Sequence, residues 1–314
     1  MSTTAFMFPG QGSQEIGMAR DLFKEDADFK KFIEIGSEVT HEDLARLCLK
    51  GPQKKLIKAR YLQPILAAVS LGYLKHVKQA GITAHYVLGH SLGEIIALGA
   101  SGVISFEDTI VMAAKRGEFM DAAASKCNGG MMAVLFVPIE KVRELLADMH
   151  DEAHIALGND NAPNQVILTG EVPAFDRFAA QLNAVRLGKC QKLQVSGPWH
   201  SQCMVEARHL FENWVESIPF DTPSPPMILN ATGKETTDPI DIKYRITWQI
   251  TSPVYWRQCM VRCRELGVDT LLEIGPGRVL AGLARVNGYK RGCNVFSVNN
   301  LRGVEKAATA FSQG

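Results

Sequence analysis

At 314 residues, 46% of them hydrophobic and 21% charged, the chain has the make-up of a globular protein with a large core, in one large domain or two smaller ones. A net charge of +1 gives no electrostatic basis for holding nucleic acid or a membrane surface. The opening residues carry no basic leader and no apolar run reaches transmembrane length, so a cytoplasmic protein is expected.

The predicted elements alternate strand and helix through the first 125 residues. An apolar strand, Ala5-Phe6-Met7-Phe8, ends at Pro9-Gly10 and is followed by a helix around Glu15–Phe23. A Leu/Ala-rich helix is expected over Gln63–Gln79, a short buried strand over Tyr86-Val87-Leu88, and a helix opening near Ile95. Ser105-Phe106-Glu107-Asp108 has the form of a capping box and starts a helix running to about Ala124. This alternation predicts a parallel sheet covered by helices.

From Gly130 the rhythm changes. Met131–Phe136 reads as a strand and Ile139–Met149 as an amphipathic helix. Ile155–Leu157 and Val166–Thr169 read as short strands around the turn-rich Asn159–Asn164. Ala174–Asn183 reads as a helix and Gln191–Val195 as a last strand. The order β-α-β-β-α-β predicts a ferredoxin-like unit over residues 129–196, inserted into a larger domain made of 1–128 and 197–314. The large domain resumes with strands at Leu271–Ile274 and Asn294–Val298.

Chemistry concentrates at Gly89-His90-Ser91-Leu92-Gly93, a G-x-S-x-G pattern between a strand and a helix. Such an elbow pushes a serine out of the chain, and a β-carbon at either glycine would clash in the turn. The helix start also aims backbone N–H groups at an anion formed on a carbonyl that Ser91 attacks. A base is needed, and of eight histidines His200 is the best placed. It follows the Gly197-Pro198 kink at the exit of the small domain, where a side chain enters a cleft. Asp160 is the one obvious loop acid between serine and histidine in sequence. A main-chain carbonyl can orient the same imidazole, which favours a Ser–His dyad. Arg116 has only apolar neighbours at i±3 and i±4 (Met112, Ala113, Phe119, Met120). Its guanidinium therefore leaves an inward-facing stripe, as a snorkelling side chain, a partner of a buried carboxylate, or a fork for a substrate carboxylate. Gln11, after the first strand, belongs to a loop at the same rim of the sheet. The seven cysteines are scattered with no C-x-x-C pair. Cys259 and Cys263 lack a histidine pair, so reduced thiols and no metal site are expected.

Phe8-Pro9-Gly10-Gln11-Gly12-Ser13-Gln14, Gly89–Glu94, Arg116-Gly117, His200, Gln249 and Glu273-Ile274-Gly275-Pro276-Gly277 occur here in that order. Together they closely resemble the malonyl-CoA:acyl-carrier-protein transacylases of fatty-acid synthesis and the free-standing acyltransferases of polyketide assembly lines. The resemblance spans about residues 4–300. It implies an α/β-hydrolase-like large domain with a ferredoxin-like insert. It also implies malonyl transfer from coenzyme A to a carrier-protein thiol, with no cofactor beyond the thioester substrate. Carried over by residue, it makes Ser91 the nucleophile, His200 the acid/base and the N–H groups of Gln11 and Leu92 the oxyanion hole. Arg116 becomes the carboxylate clamp, and the Gln249 carbonyl the support of the imidazole. Trp199 departs from the family's usual small residue or Phe at the acyl pocket. An acyl hydrolase using the same Ser–His pair is the rival activity. Those enzymes tend to lack the arginine. Lys54, Lys55, Lys58, Lys189 and Lys192 are candidate docking charges for an acidic carrier protein, and a monomer is expected.

Overall fold

The computed structural model describes residues 2–150 and 154–312. Among them the strands are β1 (Thr4–Phe8), β2 (Tyr86–Gly89), β3 (Gly129–Leu135), β4 (Ile155–Ala162), β5 (Gln165–Glu171), β6 (Lys189–Lys192), β7 (Met227–Ile228), β8 (Glu235–Thr236), β9 (Thr270–Ile274) and β10 (Asn294–Val298). Six form one sheet in the order β10-β9-β1-β2-β7-β8, parallel throughout except for β8. The central strand β1 is buried on both faces, which is why it reads as a continuous apolar run rather than an alternating one. Phe6 and Phe8 pack with the helices Ala59–Gln79 and Phe106–Ala124. Ala5 and Met7 face the opposite way, toward Trp256 and Met260 of the helix Trp256–Glu265.

The second sheet is antiparallel, in the order β4-β5-β3-β6. Its two faces do different jobs. Met132, Val134, Val166 and Leu168 bury against Phe175 and Phe178 of the helix Val172–Ala184. Met131, Ala133 and Ile167 turn to the other side and line the cleft against the first sheet's domain. The period-2 alternation of β3 thus divides a hydrophobic core from a binding surface.

Several boundaries move from their sequence positions for local reasons. The first helix is Arg20–Glu25 rather than Glu15–Phe23, because turns with Gly17 and Ala19 at positive φ occupy the stretch before it. Asn159–Ala162 has turn composition yet belongs to β4. Register shifts interrupt that strand, and an Asn159–Val254 bridge ties it to the large domain. The last strand of the small sheet is Lys189–Lys192 rather than Gln191–Val195, which leaves Leu193 and Val195 to line the cleft. The capping box forms as read, with Ser105 accepting from the Asp108 N–H. Cys127 and Cys203 are joined by a disulfide, against the expectation of seven reduced thiols. They lie 76 residues apart in sequence with Cα atoms 6.4 Å apart, a proximity that spacing does not reveal. No helix among the described residues is long and apolar enough to cross a membrane.

Candidate active site

The elbow is built by close packing of backbone. A β-carbon on Gly89 would lie 1.9 Å from the main chain of Gly93, and one on Gly93 would lie 1.9 Å from the Phe8 carbonyl oxygen. Only glycine permits β1, β2 and the helix Leu92–Ala100 to meet this tightly. Ser91 takes the strain, at φ 53° and ψ −107°. Asn230, just past β7, braces the turn. Its Oδ1 accepts from the Ser91 N–H at 2.8 Å, and its Nδ2 donates to the Gly89 carbonyl at 2.7 Å.

Ser91 Oγ is 2.8 Å from His200 Nε2. On the other side of the ring, Nδ1 faces the carbonyl oxygens of Gln249 at 2.8 Å and Ser252 at 3.1 Å. Two carbonyls can only accept, so Nδ1 carries the proton and Nε2 is left to take one from Ser91. Burial, reinforced by the positive charge of Arg116, pushes His200 down to about 3, which keeps the imidazole neutral and basic in form. Asp160 is not its partner. Arg257 grips that carboxylate from helix Trp256–Glu265 at 2.9 Å, with Gln258 adding a bond, and the pair locks β4 to the large domain.

Arg116 is fully buried. Of the three readings open for it, snorkelling and direct pairing with a carboxylate both fail. Its Nη1 donates to Gln63 Oε1 at 2.9 Å. Its Nη2 donates to Gln249 Oε1 at 2.8 Å and to Ser91 Oγ at 3.3 Å. The neighbouring Gly117 makes this possible. A β-carbon there would stand 2.3 Å from the Ala59 carbonyl, so glycine lets helix Phe106–Ala124 press against helix Ala59–Gln79 and bring Gln63 to the guanidinium. Desolvation lowers Arg116 to about 10, still charged at neutral pH.

A cleft of about 220 Å³ opens over Ser91 between the two sheets' domains. Gly10 and Gln11 form one wall, Met131, Ala133, Gln165 and Ile167 another, and Trp199 and His200 the floor near the serine. A β-carbon on Gly10 would sit 2.4 Å from the His90 carbonyl and 3.7 Å from the Leu92 nitrogen, so the Gln11 loop lies directly on the elbow. The Trp199 indole is buried, with its edge packed where a β-carbon on Gly197 would stand. Glu273, from the Glu273–Gly277 run, accepts from the N–H groups of Leu280 and Ala281 at 2.9 and 2.8 Å. It thereby caps the helix Val279–Val286, whose Leu280 and Leu283 face the cleft. His90 turns away from the serine, bonding Asn161 Oδ1 at 2.8 Å.

Sequence reading missed three polar groups: Gln63, Asn230 and Glu94. Glu94 is fully buried. It accepts from the Asn230 N–H and from Gln249 Nε2, each at 2.5 Å. Gln63 sits on a helix at a position with no local signature, Glu94 closes the Gly89–Glu94 run with no role read for it there, and Asn230 follows a two-residue strand.

A serine on a strained elbow, a neutral histidine and a buried guanidinium against the same oxygen define a serine acyl-transfer site. The chain belongs to the acyl transferase domain family, whose model matches residues 5–303. It is 33% identical over 314 residues, covering all of this chain and 98% of the relative, to the malonyl CoA-acyl carrier protein transacylase of Bacillus subtilis (strain 168). The same organism's polyketide biosynthesis malonyl CoA-acyl carrier protein transacylase PksC is 34% identical over 280 residues, covering 88% of this chain and 94% of PksC. Among solved structures, a malonyl-transacylase in complex with its type II PKS acyl-carrier protein superposes with a TM-score of 0.92 at 31% identity, over 98% of this chain and 100% of that one.

Proposed function

We propose that this acyltransferase moves a malonyl group from malonyl-CoA to the phosphopantetheine thiol of an acyl carrier protein, through a malonyl ester on Ser91. His200 Nε2 takes the Ser91 proton as Oγ attacks the thioester carbonyl. The tetrahedral oxyanion rests on the N–H groups of Gln11 and Leu92. The C–S bond breaks, and His200 returns the proton to the departing thiolate of coenzyme A. The carrier thiol then gives its proton to His200 and attacks the ester carbonyl, and His200 passes that proton to Ser91 Oγ as the ester C–O bond breaks. Both halves use one base, and the kinetics are ping-pong. Trp199 lines the cleft next to His200, with its ring edge packed toward Gly197. The observation that carries the reading is the Arg116 guanidinium, buried within 3.3 Å of the nucleophile in a site with no carboxylate bonded to it among the described contacts.

Arg116→Ala tests it. The malonyl carboxylate loses a charge-assisted fork, about 1.5–3 kcal/mol per bond, while acetyl has nothing to lose there. Self-acylation by malonyl-CoA and acetyl-CoA, compared in wild type and variant, should show malonyl falling and acetyl gaining relative to it. A common fall for both would remove the dicarboxylate claim. Lys at this position should restore only part of the preference, since an ammonium lacks the planar fork.

Of the candidate docking charges, Lys55 is paired with Glu42 and Lys192 with Asp176. Lys189 stands over the exposed ring of Phe136, at 5.8 Å from its centroid. It is opposite Leu135 in β3, which in turn is opposite the cleft-lining Gln165. Such a cation beside an apolar ring at the mouth suits an acidic carrier. Lys189→Glu should weaken carrier use about fivefold, the equivalent of roughly 1 kcal/mol for an exposed charge, and more at low salt. Self-acylation from malonyl-CoA should be untouched. Equal effects on both halves would exclude a docking role.

A further inference from the structure

Glu94 has no part in the two proton transfers, yet it is buried at the centre of the site with both oxygens occupied. We propose that Glu94 is a positioning residue whose carboxylate fixes the orientation of the Gln249 side-chain amide, and through it the Arg116 fork and the Ser91 backbone. This rests on the malonyl-transfer reading above.

The two ends of the Gln249 amide face different partners, Glu94 and Arg116. A carboxylate only accepts, so the Gln249 NH₂ group must point at Glu94, where Nε2 lies 2.5 Å from Oε2. That choice leaves Oε1 facing Arg116 Nη2 at 2.8 Å. The same NH₂ donates to the Ser91 carbonyl at 3.1 Å, while the main-chain carbonyl of Gln249 receives the His200 Nδ1 proton at 2.8 Å. Reversing the amide would set its NH₂ against the guanidinium N–H groups, donor against donor. The other oxygen of Glu94 holds the Asn230 N–H, and Asn230 Oδ1 holds the Ser91 N–H. One carboxylate therefore anchors both residues that grip the nucleophile's backbone.

Each oxygen of Glu94 faces an N–H donor, so a carboxyl proton has no acceptor there. Taking one up costs a bond, and the ionised form is the one the surroundings fit. The charged and titratable groups bearing on it are Arg116 from helix Phe106–Ala124 and Cys259 from helix Trp256–Glu265. His200 and His90 lie around the same nucleophile in neutral form. Burial raises Glu94 to about 7 against these stabilising bonds, whereas His200 lies at about 3. An acid limb near neutral pH would belong to Glu94 and not to the base.

The experiment is the pH profile of self-acylation by malonyl-CoA, with acetyl-CoA alongside, in the full chain and in Glu94→Gln. Wild type should lose rate below about pH 7, approaching tenfold per unit. Glu94→Gln should have a flat profile across that range. It should be slower with malonyl-CoA by about ten- to a hundredfold at pH 8, as for one lost charge-assisted hydrogen bond, and less selective for malonyl over acetyl. An unchanged acid limb, or wild-type rate and selectivity at pH 8, would overturn the proposal. Should Glu94→Gln not fold by circular dichroism, Glu94→Asp serves. It keeps a titrating carboxylate but withdraws it by one methylene, so the acid limb should remain while malonyl rate and selectivity drop. Wild-type values there would overturn the proposal equally. A wild type that takes no malonyl at any pH would instead strike the transfer reading itself, and the role of Glu94 with it.

Discussion

Ser91→Ala should abolish the acyl-enzyme and reduce malonyl transfer on the order of 10⁶-fold, the scale seen when a nucleophile that works as a unit with its base is removed. The reason is geometric as well as chemical. Oγ is the atom on which His200 Nε2 converges at 2.8 Å and Arg116 Nη2 at 3.3 Å. No neighbouring side chain can take its place, because the elbow glycines hold the backbone where only residue 91 projects. Folding should be preserved, since Oγ makes no other structural contact among the described bonds, and a methyl group fits the same space. Stopped-flow release of coenzyme A in the absence of carrier should lose its burst. A burst of wild-type size in the variant would place the nucleophile elsewhere.

His200→Ala is the second large effect. One imidazole removes the serine proton in the first half-reaction and the carrier thiol's proton in the second, so both should slow together by about 10²–10⁴-fold. The fold-loss should be nearly independent of pH from neutrality upward, because the His200 that wild type retains is neutral throughout that range and any acid limb from Glu94 is common to both proteins. Measuring coenzyme A release and carrier loading separately distinguishes this from a divided labour. Normal self-acylation with failed carrier loading would require a second base.

The parts of the site legible in the sequence were those that a short segment determines. The elbow announces itself because Gly89, Ser91 and Gly93 satisfy one turn. Arg116 stands out because four apolar helix neighbours make its charge anomalous. The separation into a mainly parallel sheet and a second, antiparallel sheet follows from a change in the order of strands and helices. What stayed hidden depends on contacts across the chain. Gln63 reaches Arg116 only because Gly117 allows two helices to touch. Asn230 lies 139 residues beyond Ser91, in a loop whose composition says nothing of the nucleophile. Gln249 entered through resemblance alone, and only its carbonyl was assigned, whereas its side chain joins Glu94, Arg116 and Ser91. Asp160, the one loop acid in the right chain order, grips Arg257 instead, and the His200 ring is held by main-chain carbonyls, as the preference for a Ser–His dyad expects. The Cys127–Cys203 pair was likewise out of reach of spacing, and in a reducing compartment it would be held as thiols.

Trapping the acyl-enzyme bears most directly on malonyl transfer through Ser91. The protein is mixed with malonyl-CoA, freed of excess substrate, and divided between buffer and buffer containing carrier protein with its phosphopantetheine arm, and each portion is followed by intact and peptide mass spectrometry. The expected result is one malonyl group on the peptide containing Ser91, persisting in buffer and moving to the carrier when it is present. A label on another residue, or loss to water as fast without the carrier as with it, would contradict the account.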